Sequence, residues 1–263
     1  MSPHGFPLPV EQTGAAGWLV QTPCGNKAML AAGTPIATPT VILDPGHGGG
    51  ETGAVGPNRL RESVVNLAVA RQAASALRAA GVNVLLTRPG DDRVVLTTRS
   101  ELVRNLHPAA FVSIHHNSSP DGPRPTPGTE TFYQYRSASS KRLAGLLYEE
   151  VFKALSAYQI PWVGNADAGA KYRLNSSGGD YYHVLRETAG TPSAIAELAF
   201  INDAPEADLL ARPDVQRVEG RAVAQALLRF LRTQDPGSGY VTPLPRLSSD
   251  NGGGAEGCVD PPL

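Results

Sequence analysis

From Thr40 onward, short apolar runs alternate along the chain with segments whose apolar residues recur every three or four positions. The runs suit β-strands and the segments suit amphipathic helices, and their repeated alternation is typical of a layered α/β fold. The pattern predicts one domain with three α-β-α layers around a central, twisted, mixed and mostly parallel sheet. A chain of 263 residues can hold one such core with tails at both ends.

The individual elements follow from periodicity and from the residues that end them. Strands are predicted over residues 41–43, 82–87, 110–114, 129–135 and 192–196. Helices are predicted over residues 62–80, 96–106 and 213–232, with a further helix that Ser139 opens and that runs to residue 155. Gly81 is placed to end the first helix, and the second ends before Pro108.

The predicted domain has an extension at each end. Residues 1–39 form an arm that packs on the domain and contains one short strand at residues 17–21, residues 40–233 form the domain that carries the chemistry, and residues 234–263 form a tail. The two cysteines, Cys24 in the arm and Cys258 in the tail, lack the spacing of a metal site and are expected to form a disulfide. The alternative is a pair of buried free thiols.

Cellular location and partner classes follow from the cysteines, the charge and the hydropathy. Because disulfides persist in oxidising compartments, we expect an exported protein. Residues 1–10 lack the basic start and apolar middle of a signal peptide, so a leader would not be part of this chain. The net charge of −1 and the absence of lysine or arginine runs argue against a partner that is nucleic acid. No apolar stretch is long enough to span a membrane. The expected oligomeric state is a monomer.

Chemically active side chains follow three of the predicted strands. His47 lies in VILDPGHGGG, His115 in SIHHNSS and Glu197 in AIAELAF, while Glu62 opens the first helix. Ligands of open α/β sheets bind beyond the carboxyl ends of the strands. We therefore expect these four side chains to converge at one edge of the sheet.

The residue types predict a metal-dependent hydrolase. The two histidines and Glu62 form a donor set that leaves a fourth tetrahedral position open, which is typical of catalytic zinc, so one Zn²⁺ is expected. Other divalent ions also bind such a set. Glu197 is then free to act as the general base for a water molecule. A serine or cysteine nucleophile motif is not evident.

Each of these residues also has a simpler interpretation. The glycine segment around His47 could form a phosphate-binding turn, although no helix follows it closely, and His47 could be structural. Glu62 could be an acidic residue that the dipole of its helix stabilises. Because successive strand residues point to opposite faces, only one of His115 and His116 is expected to be a ligand, with the other as hydrogen-bonded support.

Further polar residues are candidates for supporting roles. Asp44 and Asn117 could orient the ligating imidazoles through the second ring nitrogen, or could simply form turns. His183 and Arg186 lie in GGDYYHVLRE and are candidate pocket residues, and His183 is also a candidate for a competing ligand.

Four motifs appear in the order VILDPGHGG, RESVVNLAVA, SIHHN and AELAFIND, the last followed by EADLL. Together they resemble the zinc-dependent N-acetylmuramoyl-L-alanine amidases of the amidase-3 family, over residues 40–231. The resemblance implies zinc ligands at His47, Glu62 and His115 and a catalytic glutamate at Glu197. It also implies hydrolysis of the amide bond between N-acetylmuramic acid and L-alanine, with peptidoglycan as the partner.

The resemblance has departures and leaves alternatives open. Ala199 stands where the family usually has glycine, and His116 where a smaller residue is common. The segments TPCGN and GCVDP resemble those of actinobacterial members. A related zinc peptidase or carboxypeptidase, or a non-catalytic cell-wall-binding regulator, remains an alternative function. Residues 159–185 are where a helix that plugs the site would lie.

Overall fold

A computed structural model of the chain describes residues 1–245 and 254–263. Its strands are β1 (Val10–Gly14), β2 (Gly17–Gln21), β3 (Lys27–Leu30), β4 (Val41–Pro45), β5 (Val84–Leu86), β6 (Ala110–Asn117), β7 (Gly122–Arg124), β8 (Glu130–Tyr133), β9 (Trp162–Gly164), β10 (Ala170–Lys171) and β11 (Ser193–Phe200). Its helices are α1 (Glu62–Ala79), α2 (Leu96–Leu106), α3 (Ala138–Leu155), α4 (His183–Arg186), α5 (Ala204–Leu210) and α6 (Pro213–Arg232). None of these helices combines the length and the apolar character that crossing a bilayer requires.

Within the described residues, the central sheet contains six strands in the order β10-β8-β11-β6-β4-β5. β11, β6, β4 and β5 are neighbours in that order and run parallel to one another. β8 is antiparallel to β11, and β10 is parallel to β8. The predicted mixed and mostly parallel sheet is therefore confirmed. Smaller antiparallel sheets join β1, β2 and β3, and join β7 to β9.

Side chains of the central strands alternate between two apolar layers. In β4, Val41 and Leu43 pack in a cluster with residues of α1, α3 and α6, whereas Ile42 packs in a second cluster with residues of α2 and α4. Helices that cover both faces remove the apolar side chains of a parallel sheet from water. The predicted three-layer architecture is confirmed. By the same alternation, His115 and Glu197 lie on the face of α2 and α4.

The helices follow the sequence pattern closely. The bounds of α2 and α6 match the prediction, and α1 ends one residue earlier than predicted. The predicted cap of α3 is wrong. Ser137, in an extended conformation, accepts a hydrogen bond from the backbone N–H of Ser140 at 3.2 Å, so the helix begins before Ser139. A serine at either position suits a cap, and the backbone turn decides between them.

The strands that carry His115 and Glu197 are longer than predicted. Both residues lie inside strands instead of following them. His115 pairs with Glu197, and the pairing of the two strands continues beyond them to Asn117 and Phe200. An irregularity in β11 falls between Glu197 and Phe200. The polar side chains thus project from the final residues of paired strands, which fixes their backbone more firmly than a loop would.

The predicted arm folds into a small sheet. β2 matches the strand predicted at residues 17–21, whereas β1 and β3 were not predicted. Val20 of β2 forms an apolar cluster with Phe6 and Leu8, which precede the sheet, and Leu263 of the tail packs against this cluster. It also meets the start of α2, where the Thr98 hydroxyl donates to the carbonyl of Thr22 at 2.9 Å.

The tail returns to the domain and to the N-terminal sheet. Tyr240 extends the central sheet by a parallel bridge to Ala170, at the edge formed by β10. Residues 246–253 of the predicted tail lie outside the described residues. Cys258 is bonded to Cys24, which confirms the predicted disulfide. The Asp260 carboxylate accepts hydrogen bonds from the residues around Cys24, namely Thr22, Cys24 and Asn26.

Close packing of α1 against α6 requires the glycine at position 220. A β-carbon placed there would lie 2.4 Å from Cβ of Gln72 and 2.8 Å from the carbonyl oxygen of Val69, both on α1. Gly220→Ala is therefore expected to push the helices apart and lower the free energy of unfolding by about 1–3 kcal/mol. Urea denaturation measures the loss. The matched control is Gly50→Ala, which should cost much less because a β-carbon at Gly50 would meet no atom within 4 Å.

Candidate metal centre

The structure brings three of the predicted residues together at the carboxyl edge of the sheet. His47 follows β4, Glu62 is the first residue of α1, and His115 lies near the end of β6. Nε2 of His47 is 3.2 Å from one carboxylate oxygen of Glu62, and Nδ1 of His115 is 3.0 Å from the other. One ligand atom from each of the three residues lies within 4.8 Å of the others. This spacing suits donors that share one ion.

Glycines allow the backbone to pass directly against these side chains. A β-carbon at Gly46 would lie 2.1 Å from Cε1 of His115. A β-carbon at Gly53 would lie 2.5 Å from a carboxylate oxygen of Glu62 and 2.6 Å from Cδ2 of His47. Both contacts are far inside van der Waals distance. The glycine-rich segment therefore serves to close the loop around the donors, because only glycine leaves room for them.

His47 itself has a left-handed backbone, with φ of 61°. Residues other than glycine adopt this conformation only where the surroundings hold them in it. The guanidinium of Arg99 donates to the carbonyl of His47 at 2.8 Å, and that of Arg88 donates to the carbonyl of Gly46 at 3.1 Å. Both arginines are almost fully buried. Their hydrogen bonds hold the ligand loop in place.

Asp44 balances this buried positive charge. Its carboxylate accepts hydrogen bonds from Arg99, from the Thr87 hydroxyl and from the Ser113 hydroxyl. Burial alone would raise the pKa of Asp44, but the Arg99 charge and these hydrogen bonds lower it below its ordinary value. The prediction that Asp44 orients a ligating imidazole is wrong, because its oxygens are directed at these donors. Asp44 instead holds Arg99, which donates a hydrogen bond to the backbone carbonyl of His47.

The second ring nitrogen of His47 is instead hydrogen-bonded to Glu51. Nδ1 lies 3.0 Å from the Glu51 carboxylate. Although burial opposes it, the hydrogen bonds to Glu51 and Glu62 raise the pKa of His47 to about 9. Metal binding requires a neutral imidazole and would displace this proton. Sequence reasoning missed Glu51, for which the only signal was an acidic residue inside a glycine loop.

Glu62 is held as an ionised carboxylate. Its oxygens accept hydrogen bonds from the backbone N–H groups of Ala54 and His116 and from the side chain of Asn66. Burial would raise the pKa of Glu62, but hydrogen bonds with His115 and His47 hold it well below its ordinary value. Burial also lowers the pKa of His115. An anionic carboxylate beside a neutral imidazole is what a divalent ion requires.

The side chains of His116 and Asn117 form hydrogen bonds with groups other than the three ligand candidates. His116 is buried on the opposite face from His115, with its ring nitrogens 2.8 Å from the Asn66 side chain and 3.3 Å from Glu219. Asn117 donates to Glu130 at 2.8 Å and accepts from the next backbone N–H. The predicted role of Asn117 beside an imidazole is therefore wrong, since both ends of its amide are engaged elsewhere.

Glu197 lies next to His115, because the two residues are register partners on β11 and β6. On its other side it faces Glu130 of β8. One oxygen of the Glu197 carboxylate is buried and has no hydrogen-bond partner among the described residues. Burial and the negative charges of Glu62 and Glu130 raise the pKa of Glu197 well above its ordinary value. A buried polar atom without a partner calls for an explanation, and a reacting water molecule would supply one.

A second buried charge cluster flanks Glu197, and no local pattern in the sequence indicates it. Glu130 accepts hydrogen bonds from Lys171 at 2.6 Å and from Asn165 at 3.0 Å. Lys171 also donates to the Asp167 carboxylate at 2.7 Å. These partners hold the Glu130 carboxylate in a fixed position beside Glu197.

The remaining predicted residues lie in the four-residue helix α4. Nε2 of His183 is buried, and burial lowers the pKa of this histidine. Arg186 donates to the carbonyls of Asp180 and Tyr181. Neither residue belongs to the group of three ligand candidates found among the described residues. Residues 159–185 form β9, β10 and the start of α4, and no longer helix occupies this described segment.

Solvent reaches the two histidines of this group, whereas Glu62 is buried. The side chains of His47 and His115 are 24% and 21% exposed. A separate cavity of about 550 Å³ lies between the N-terminal sheet and the end of α2, where Leu8, Trp18 and Leu106 line it. None of the three ligand candidates lines that cavity.

Comparison with known proteins identifies the family to which the chain belongs. A family model described as N-acetylmuramoyl-L-alanine amidase matches residues 41–229, a range that contains all three donors and Glu197. The chain belongs to the N-acetylmuramoyl-L-alanine amidase family. The predicted resemblance is thereby confirmed. The matched range excludes β1, β2, β3 and the disulfide-bonded tail.

Individual relatives of the amidase family agree with this assignment. The uncharacterized protein YqiI of Bacillus subtilis is 32% identical over 216 residues, which are 80% of this chain and 95% of that protein. The N-acetylmuramoyl-L-alanine amidase LytC of the same species is 31% identical over 200 residues, covering 75% of this chain and 36% of LytC. The solved catalytic domain of the amidase CwlV, from Bacillus (Paenibacillus) polymyxa var. colistinus, matches with a TM-score of 0.61 at 31% identity, covering 74% of this chain and 98% of that domain.

Membership of the amidase family also confirms the predicted enzyme class. The chain is an N-acetylmuramoyl-L-alanine amidase, and peptidoglycan is the substrate of its family. The site at the sheet edge offers two imidazoles, one ionised carboxylate and a second carboxylate, one oxygen of which has no hydrogen-bond partner among the described residues. This combination matches the needs of a hydrolase that uses a divalent ion.

Proposed function

We propose that His47, Glu62 and His115 hold one zinc ion and that Glu197 is the general base, so that the site hydrolyses the amide between N-acetylmuramic acid and L-alanine. The observation that carries this proposal is the approach of the three ligand atoms to within 4.8 Å, with Glu197 in register beside His115. All four residues come from one chain. This supports a monomeric enzyme, because no second copy is needed to complete the site.

The donor set fits zinc. Two imidazoles and one carboxylate are common ligands of catalytic zinc and leave one position for a ligand from outside the protein. A zinc ion held there would supply Lewis-acid chemistry, which acidifies water and polarises a carbonyl oxygen. The chain contributes the correct protonation states, because its hydrogen bonds keep Glu62 ionised and burial favours neutral His115.

Glu197 moves the proton that hydrolysis requires. Its carboxylate takes a proton from the water molecule whose oxygen adds to the amide carbonyl carbon. When the carbon–nitrogen bond breaks, the carboxyl group gives that proton to the leaving nitrogen of L-alanine. Burial and two neighbouring carboxylates raise the pKa of Glu197, which makes its protonated form accessible. One water molecule is consumed, and a carboxyl group and an amino group are released.

The proposed substrate and the disulfide support a location outside the cytoplasm. Peptidoglycan is assembled into the wall beyond the membrane, and the disulfide between Cys24 and Cys258 would persist in such an oxidising compartment. We therefore propose that the protein is exported and acts at the cell wall.

Digestion of purified peptidoglycan tests the proposed function. The protein is expected to contain about one zinc ion per chain and to release free stem peptides that begin with L-alanine, leaving glycan strands without them. Chelation of the metal should abolish release, and added zinc should restore it. Metal analysis and mass spectrometry of the products measure both outcomes.

Two results would contradict this proposal. Cleavage only within the stem peptide would assign the site to a zinc peptidase or carboxypeptidase. Binding of peptidoglycan without cleavage by the zinc-loaded protein would assign it to a non-catalytic wall-binding regulator.

A further inference from the structure

A continuous series of contacts runs from the proposed ligand His47 to the C-terminal tail. The first contact is the 3.0 Å hydrogen bond between Nδ1 of His47 and Glu51. A neutral His47 that keeps its proton on Nδ1 would have a lone pair on Nε2 for a metal ion, and Nε2 lies 3.2 Å from Glu62. A carboxylate at the second nitrogen of a ligating histidine fixes both its tautomer and its ring orientation.

Arg93 connects Glu51 to the tail. Its Nε lies 3.3 Å from the second carboxylate oxygen of Glu51, which is an ion-pair distance without the alignment of a hydrogen bond. The two terminal nitrogens of Arg93 donate to tail carbonyls, at 2.6 Å for Glu256 and 3.0 Å for Gly254. The side chain is only 19% exposed, so these contacts limit its positions.

The tail carbonyls are in turn held by the disulfide. Cys258 lies two residues beyond Glu256 and is bonded to Cys24 in the N-terminal sheet. Asp260 adds hydrogen bonds to Thr22 and to the backbone N–H of Cys24, both at 2.8 Å. Residues 254–263 contain no helix or strand, so these anchors substitute for secondary structure.

An ordinary surface ion pair does not account for Glu51. Its side chain is 45% exposed, and an exposed pair contributes only about 0–1 kcal/mol to stability. Glu51 nevertheless places one oxygen on a proposed ligand and the other on an arginine that contacts a covalently anchored segment. Such an arrangement restricts the position of the ligand more than it stabilises the fold.

We propose that Glu51 is a positioning residue for His47 and that the disulfide-anchored tail holds it there through Arg93, so that the tail tunes the affinity of the site for zinc. The inference rests on the proposed zinc site. It assigns a role to the tail and to the disulfide, both of which lie outside the residues that match the family.

Zinc affinity tests the role of Glu51. Competition with a chromophoric chelator gives the Kd of the full chain, and Glu51→Gln is expected to weaken binding about 10- to 100-fold. Cobalt(II) in place of zinc should show a changed visible spectrum in the same variant, which a purely structural role would not produce. The matched control is Glu101→Gln, because Glu101 also pairs with an arginine at the surface and lies away from the site.

The role of the tail is tested by Arg93→Met and by Cys24→Ser with Cys258→Ser. Both changes should weaken zinc binding less than Glu51→Gln does. In a Glu51→Gln background, removal of the disulfide should weaken it no further, since the two act through one route. The melting temperature of the metal-free proteins shows that each variant is folded.

The outcomes separate this inference from the proposed function. Failure of the unaltered protein to bind zinc would overturn the proposed function itself. Zinc binding with the same Kd in the unaltered protein and in Glu51→Gln would overturn the role of Glu51. If removal of the disulfide lowered the zinc affinity of the unaltered protein and of Glu51→Gln by the same factor, the tail would not act through Glu51.

Discussion

Glu197→Gln is expected to lower the rate of amide hydrolysis by roughly 10²- to 10⁴-fold while the protein still binds its metal ion. Glutamine has nearly the same shape as glutamate but cannot take a proton from water. Since Glu197 lies beside His115 and is not one of the three grouped donors, zinc content should remain near that of the unaltered enzyme. Release of stem peptides under saturating peptidoglycan, together with metal analysis, measures both effects.

A suitable control for this substitution is Glu11→Gln, since Glu11 pairs with Lys27 on the N-terminal sheet, away from the site. It should hydrolyse peptidoglycan at the normal rate. If Glu197→Gln retained more than about a tenth of the activity with full zinc content, Glu197 would not be the general base. Loss of zinc in that variant would instead identify Glu197 as a ligand.

Asp44→Ala is expected to destabilise the fold by about 3–5 kcal/mol, because it leaves the buried guanidinium of Arg99 without its counter-charge. Asp44 and Arg99 are each only 1% exposed. The substitution also removes the acceptor for the hydroxyl groups of Thr87 and Ser113. The free energy of unfolding in urea should fall accordingly, and the loop that carries His47 should loosen with it.

The matched control is Glu101→Ala, which breaks an ion pair on the same helix as Arg99 but at the surface. It should cost no more than about 1 kcal/mol. An equally small cost for Asp44→Ala would show that the buried pair contributes no more than an exposed one.

The pH dependence of the free energy of unfolding gives a second check. The folded protein lowers the pKa of Asp44, so its stabilising effect relative to Asp44→Asn should be complete above the ordinary value of 3.8 and lost as pH falls below it.

Much of the site could be predicted because it depends on a general property of parallel sheets. His47, His115 and Glu197 are distant in sequence, yet each falls at the carboxyl end of a strand, where side chains of neighbouring strands meet. The ends of α2 and α6 were also predictable. Pro108 and Pro213 are local signals that act through the backbone of their own segment.

Features that depend on partners distant in sequence could not be predicted. Asp44 carries no sign that its main partner is Arg99, 55 residues away, and Asn117 carries none that it bonds to Glu130. The extension of β11 to Phe200 likewise results from pairing with neighbouring strands. β1 and β3 consist of mostly exposed or half-buried residues, so apolar alternation did not reveal them.

The left-handed backbone of His47 lowers the stability of the fold, whereas its side chain serves the proposed metal site. An L-residue in this region costs roughly 1–2 kcal/mol relative to glycine, so selection for robustness alone would favour glycine at this position. Glycine would remove the proposed ligand. A variant with glycine at this position would therefore gain folding stability at the expense of the proposed activity. Such a trade-off is common where activity requires a strained backbone.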